Sequence, residues 1–319
     1  MLKYDKIKIV SSLNNISNIN ENEFKTTIKD GVILEQSYSM RTPFSLYIEA
    51  DYEENELVLE ITGKILKDKY PQLICIDTIN QCLQNINEIG VCNLNIGGIL
   101  MDGKVVKCDV TQDVPYPNCQ QLCKNVKTNV CSYKKYQAEM RGGNLEISKS
   151  VKSKTRKLRL TIYDKEQEMH LATNRDFLLS CKDSASLLDY FNGKVRFELN
   201  LNSMKQIRKN LNIANTSVKA VLTSSATPIW DFLNTVIEAN CTGAICHSMT
   251  ELKNMLVLEY CNKDLEKVEA LLRNYYSKNT HISQVMQPYR MLLAKMSEDA
   301  FVDIKKLLKN MLTESSVDG

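Results

Sequence analysis

Arg159-Leu160-Thr161-Ile162-Tyr163-Asp164-Lys165-Glu166-Gln167-Glu168 is the stretch on which the reading of this chain turns. Leu158, Leu160 and Ile162 alternate with Arg159, Thr161 and Tyr163, the period-2 pattern of a strand with one buried and one exposed face. Continued, the alternation puts Arg159, Thr161, Tyr163 and Lys165 in line on the second face, with a phenol between two cations. A phosphate would suit that place. The same pattern also describes a wet strand whose Tyr is amphipathic filler, so the neighbours of the stretch have to decide.

Two other stretches alternate in the same way. In residues 106–113, Val106, Cys108 and Val110 read as core-facing, which leaves Lys107, Asp109, Thr111 and Asp113 on the opposite face. Two carboxylates four residues apart on a strand lie about 13 Å apart along it, too far to share one ion unless the strand bulges. In residues 195–201, Val195, Phe197, Leu199 and Leu201 point inward, and Arg196, Glu198 and Asn200 outward. Each face taken singly is that of a half-exposed antiparallel sheet. If the three strands are neighbours, they form a metal-assisted phosphoryl-transfer site. The acids would hold a divalent cation, Mg2+ or Mn2+, with Tyr163 as nucleophile and Lys165 or Arg196 balancing charge in the transition state. A phenol with a pKa near 10 needs a metal, cation or base to help remove its proton.

At 319 residues the chain can bury a full core as one large domain or two smaller ones. Its opening MLKYDKIKIV holds no apolar run of signal-peptide length, and about 18 consecutive apolar residues occur nowhere. A soluble, cytoplasmic protein with no membrane partner is expected. The 11 cysteines are odd in number, which argues against a complete disulfide framework. Cys75, Cys82, Cys92, Cys108 and Cys181 fall where the pattern reads as core, and a free thiol packs there as a small hydrophobe. Cys119-x3-Cys123-x7-Cys131 has no neighbouring His, and Cys241, Cys246 and His247 lack a fourth ligand, so neither makes a strong zinc motif. The net charge of +3 does not by itself identify a nucleic-acid partner. Its distribution says more: Lys149, Lys152, Lys154, Arg156, Lys157 and Arg159 fall within eleven residues. They make either a solvated hairpin or a phosphate-tracking loop that leads into the Tyr163 strand.

Strands are expected over residues 4–10, 32–40, 44–52, 56–62, 105–114, 133–140, 145–149 and 195–202, besides the Tyr163 strand. Helices are expected from an Asp77 cap to Ile89, near residues 119–126, and around Leu187, Leu188 and Phe191. From Ser203 the period changes to 3.6. Ile229, Phe232, Leu233, Val236 and Ile237 make one stripe, Ser248 and Glu251 a capping box, and residues 265–276 and 301–312 two further amphipathic helices. The expected class is α+β: a mostly antiparallel sheet domain over residues 1–205 with helices packed on one face, then an all-α region over residues 206–319.

The order Asp109-Val110-Thr111-Gln112-Asp113, Ile162-Tyr163-Asp164-Lys165-x2-Glu168 and Arg196-Phe197-Glu198-Leu199 resembles the replication initiators of rolling-circle plasmids of the Rep_trans type. It is similar also to the gene II-type replication proteins of filamentous phages. The resemblance covers roughly residues 30 to 205. It implies that Tyr163 is the nicking tyrosine, with Asp109, Asp113 and Glu198 around the metal. Asp164, Lys165 and Glu168 match the rest of the tyrosine motif, and Arg196 opens the third strand. The His-hydrophobic-His pair of the HUH nucleases is not expected in that family, and His170, His247 and His281 form none. The function implied is sequence-specific nicking and joining of origin DNA, double-stranded or extruded as a single strand, through a 5′-phosphotyrosine. With one tyrosine in the motif, closing the circle calls for a partner subunit's tyrosine or a water, and a homodimer is expected. The C-terminal helices are expected to supply origin recognition, dimerisation or contact with a host helicase, and the sequence does not choose among them. Alternatives are a relaxase-like mobilisation protein acting at a transfer origin, a non-catalytic initiator that melts its origin, and an α+β domain whose polar faces are simply wet.

Overall fold

Val195, Phe197, Leu199 and Leu201 are all fully buried, and their strand lies near the middle of a ten-stranded antiparallel sheet. The computed structural model describes residues 1–130, 136–149, 158–237, 246, 248–276, 281–298 and 304–313. In chain order the strands are β1 (Lys3–Ser12), β2 (Ile16–Ser17), β3 (Lys25–Lys29), β4 (Val32–Met40), β5 (Leu46–Asp51), β6 (Glu56–Thr62), β7 (Asn93–Leu94), β8 (Lys104–Pro115), β9 (Tyr136–Arg141), β10 (Asn144–Lys149), β11 (Arg159–Asp164) and β12 (Lys194–Leu201). The large sheet runs β3-β4-β5-β6-β1-β8-β12-β11-β10-β9, and β2 pairs with β7 apart from it. The three strands carrying the candidate chemistry, β8, β12 and β11, are therefore direct neighbours.

Turn chemistry explains much of this order. Gly142 and Gly143 both have positive φ (57° and 90°), as a two-residue hairpin turn requires, and they join β9 to β10. Between β5 and β6, Asp51 Oδ1 accepts from the amides of Glu53 and Glu54 and closes the polar turn. Sequence pattern misses β3, whose short run from Lys25 to Lys29 has almost no buried face. It also assigns Val106 to the core. The register slips opposite Ile9, so that Val105 takes the core position and Val106 is left half-buried by the bulge.

Helices α1 (Ile79–Ile89), α2 (Ile96–Asp102) and α3 (Cys119–Thr128) lie in the first part of the chain. Gly90 ends α1 in the left-handed conformation, φ +80°, which a residue without Cβ adopts freely. The expected Asp77 cap is not used. Thr78 precedes α1 and commits its hydroxyl to the turn before it, accepting from the Cys75 amide and donating to the Leu73 carbonyl. After β11 come α4 (Lys165–Met169), α5 (Arg175–Ser180) and α6 (Ser184–Phe191). The last strand is followed by α7 (Met204–Leu211), α8 (Val218–Leu222), α9 (Pro228–Val236), α10 (Met249–Tyr260), α11 (Leu265–Arg273), α12 (Ile282–Glu298) and α13 (Ile304–Thr313). The Ser248 hydroxyl accepts from the Glu251 amide, as the capping motif predicts.

Three apolar clusters follow. The main core joins the inward residues of the sheet to α1, α3, α7–α9 and α13. The helices beginning at residue 204 therefore share the core of the sheet, except that α10, α11 and α12 pack around their own cluster of Met255, Leu258, Val268 and Met286. A third cluster, with Tyr70, Met169, Phe177, Leu187 and Phe191, packs α4–α6 and a 3-10 run (Gly63–Gln72) over part of the opposite, polar face. Helices thus cover both faces in part, where the sequence pattern places them on one. No helix among the described residues is long and apolar enough to cross a membrane.

Strand β1, between β6 and β8, is central to this arrangement. Ile7→Ala, which empties a fully buried position in it, is expected to cost about 2–5 kcal/mol in urea unfolding. Leu256→Ala, at an exposed position on α10, should stay within about 0.5 kcal/mol.

Candidate active site

Antiparallel register sets the polar face. Across β8, β12 and β11, Asp109 lies opposite Asn200 and Asn200 opposite Arg159; Thr111 opposite Glu198 and Glu198 opposite Thr161; Asp113 opposite Arg196 and Arg196 opposite Tyr163. Because side chains alternate, these three rows share the face turned away from the core. Asp109, Asp113, Tyr163, Arg196 and Glu198 therefore stand on one face, as their alternation in sequence predicts.

The rows differ in burial. Arg196 is fully buried, and its Nε and Nη2 grip both oxygens of Asp113 at 2.6 and 2.7 Å. Its Nη1 donates to Asp5 Oδ1 at 2.8 Å and to the Tyr70 hydroxyl at 2.7 Å. The planar guanidinium suits such a fork, whereas an ammonium could not make it. The structure thus takes Asp113 into an ion pair and leaves Asp109 and Glu198, in the two neighbouring rows, outside it.

Lys165 departs from the expected geometry. The strand ends at Asp164, whose Oδ1 accepts from the Gln167 amide and starts α4. Lys165 therefore turns out of line with Tyr163 and is buried, where an exposed strand position is expected from sequence. Its ammonium donates to Tyr70 Oη at 3.0 Å and forms a short ion pair with Glu168. Glu168 is braced in turn by Asn174 Nδ2 at 3.0 Å and by Lys64 at 3.6 Å. Burial and the Arg196 charge lower the pKa of Lys165 to about 8, against the pull of Glu168 and Asp5. Burial works against the Glu168 carboxylate too, but Lys165 and Lys64 hold its pKa below the usual range.

Tyr163 is half-buried, and its hydroxyl donates to Glu198 Oε2 at 3.1 Å. Burial, with the charge of Glu198, raises the phenol pKa well above 10, so the resting group carries its proton. Glu198 is pushed up to about 7 by burial and by Asp5 and Asp109. Asp109 is raised as well, mainly by burial, although the Asn200 amide supports its carboxylate. One oxygen of Asp109, Oδ1, is buried with no hydrogen-bond partner. A partnerless carboxylate oxygen inside a protein is costly.

Three contributors escape the sequence pattern. Asp5 sits in a bulge of β1, where the register slips between Tyr4 and Lys6 and the Asp5 amide donates to Thr111 Oγ1. A signal exists: the buried positions Tyr4, Ile7 and Ile9 break the period of two. Burial disfavours the Asp5 charge, but Arg196 and Lys165 outweigh it and lower its pKa. Tyr70 and Lys64 come from the 3-10 run and carry no signal at all. Of the basic run, Lys149 is exposed at the end of β10, and Arg159 donates to Asn200 Oδ1 at 2.7 Å. Lys152, Lys154, Arg156 and Lys157 lie outside the described residues, as do Cys131, Cys241 and His247. Cys119 and Cys123 stand 3.9 Å apart, both buried beneath β11. Among the described residues no group of three or more His, Cys, Asp or Glu is arranged to hold a metal ion.

The geometry is that of a phenol held on a carboxylate, with a second acid that has one partnerless oxygen and two buried cations on the same side of the sheet. No curated protein matches the chain. Residues 78–220 match the family model for the N-terminal part of the phage gene II-type replication-associated protein. Asp109, Asp113, Tyr163, Lys165, Glu168, Arg196 and Glu198 all lie inside that span, and Asp5, Lys64 and Tyr70 lie before it. The match supports a phage gene II-type replication initiator.

Proposed function

We propose that the chain starts rolling-circle replication by nicking and rejoining one strand at its replicon's origin through Tyr163. The observation that carries this reading is the Tyr163 hydroxyl donating to Glu198 Oε2 on the face shared with Asp109 and Arg196, with the Lys165 ammonium 5.9 Å from the centre of the Tyr163 ring. Tyr163 Oη bonds to the phosphorus as the P–O3′ bond breaks. The phenol proton passes to Glu198, and the departing 3′-oxygen takes a proton from water. A 5′-phosphotyrosine and a free 3′-OH result. The broken bond's energy is retained in the adduct, so rejoining needs no further source.

Each neighbour then has a role. Glu198, with a pKa of about 7, is matched to accept a proton near neutral pH. Lys165 and Arg196 supply fixed positive charge behind the reacting phosphate, most effective in a site that excludes water. Asp109, with its partnerless Oδ1, and Glu198 are the residues that would hold a divalent cation. Such an ion, Mg2+ or Mn2+, supplies polarisation of the phosphate oxygens when bound. Lys149 and Arg159, with the rest of the basic run between them in sequence, are the cations we assign to the phosphates of the flanking DNA. Tyr70 is too deeply buried to be the second nucleophile. Closure accordingly falls to a second copy's Tyr163, in a homodimer, or to water.

Three outcomes are expected. On supercoiled DNA of the parent replicon with Mg2+ or Mn2+, the wild type yields a nick with protein attached to the 5′ end. Tyr163→Phe abolishes both while origin binding stays within about twofold; origin binding without any nick, equal in both proteins, would favour a non-catalytic initiator. Asp109→Asn raises the metal concentration needed for half-maximal nicking by about 10- to 100-fold. Lys165 is charged below its pKa of about 8 and neutral above it. The single-turnover rate should therefore fall on the alkaline side of about pH 8, by about tenfold per unit, and this limb should be missing from a slower Lys165→Met variant.

A further inference from the structure

We infer that Tyr70 is a positioning residue for the nicking centre, its hydroxyl fastening the Lys165 ammonium and the Arg196 guanidinium to Asp5. The inference rests on the function proposed above and extends it to residues that precede the family-matched segment. A phenol offers one proton and two acceptor sites. Tyr70 gives its proton to Asp5 Oδ1 at 2.7 Å and accepts from Arg196 Nη1 at 2.7 Å and Lys165 Nζ at 3.0 Å. All three capacities are used. Asp5 Oδ1 also accepts from Arg196 directly, which closes a small ring of bonds.

The surroundings set this hydroxyl apart from a core tyrosine that merely finds a partner. The ring is fully buried, edge-on to Phe177 at 5.4 Å and tilted against Phe191 at 5.6 Å. A Cβ added at Gly63 would come within 3.3 Å of the ring, so the packing leaves it little room to turn. The backbone that delivers it is strained. Lys67 (φ 52°, ψ −118°) lies three residues before it, and Leu73 (φ 57°, ψ −179°) three residues after, in regions that only glycine visits readily. Phenylalanine would fill the same space without the polar partners. The hydroxyl is therefore what the strained turn carries into the site.

Lys165 is faced by Glu168 on its own helix, Arg196 from β12, Asp5 from β1, Tyr163 from β11, and Lys64 and Tyr70 from the 3-10 run. Removing the hydroxyl takes away an acceptor that favours the charged amine and frees one N–H of Arg196. Both cations should then lose their fixed place behind Tyr163.

The test compares wild type, Tyr70→Phe and Phe177→Leu. The last loosens the same ring but keeps the hydroxyl. Single-turnover nicking at saturating origin DNA would be measured across pH, with binding affinity and thermal unfolding alongside. Tyr70→Phe should bind within about twofold of wild type, nick about 10- to 100-fold more slowly, and lose activity at lower pH than wild type does. Phe177→Leu should unfold at lower temperature yet keep the wild-type rate and pH profile. A folded Tyr70→Phe with the wild-type rate and profile overturns the inference, and so do losses in both variants that simply follow their stability. If wild type does not nick, the proposed function fails on its own. The Lys165 titration, followed by the 13Cε NMR shift, then decides the positioning role: a lower midpoint in Tyr70→Phe supports it, and an unmoved midpoint overturns it.

Discussion

One buried cation organises the polar half of this molecule. Arg196 is fully buried in the middle of the sheet, and taking a guanidinium out of water is tolerable only where its donors are met. Asp113, Asp5 and Tyr70 meet them, from β8, from a bulge in β1 and from the 3-10 run before α1. Three separate pieces of chain converge on that charge. Losing any one of the carboxylates would leave it underpaired in a dry place, which is far costlier than losing a surface ion pair.

The same convergence divides labour among the acids. With Asp113 and Asp5 committed to Arg196, Glu198 and Asp109 are the acids that remain near Tyr163, and they repel each other. Burial is the main cause of both raised pKa values, to which Asp5 and Asp109 add at Glu198 and Asp5 adds at Asp109. The pairing that holds Arg196 in the sheet's interior thus leaves Glu198 to the Tyr163 hydroxyl and one buried oxygen of Asp109 without a partner. The phenol beside Glu198 stays protonated, and the acceptor for its proton is Glu198.

The C-terminal helices divide in a related way. Helices α7–α9 and α13 press on the apolar face of β8 and β12 and belong to the same core as the sheet. Gln112, a polar residue on the inward face of β8, donates to the Leu312 carbonyl at the end of α13. Helices α10–α12 cohere through residues of their own. The strands bearing the site are thus clamped on their apolar side by chain that is distant in sequence.

Period and turn residues alone determined the strands: β4, β6, β11 and β12 fall within a residue or so of where alternation puts them, since alternation is local. The polar face of β8, β11 and β12 was legible for the same reason, and so was the Tyr163-Glu198 side of the site. Local pattern could not say that β8, β12 and β11 are adjacent, nor that Asp113 would be taken by Arg196, because that pairing spans 83 residues of chain. It could not say that Lys165 leaves the strand line either, since the Asp164 cap competes with one more residue of strand. Asp5 was marked only by a broken period, and Tyr70 by nothing. Its value lies in being carried by a strained turn to the one point where two buried cations lack an acceptor, and only the folded chain brings those three groups together.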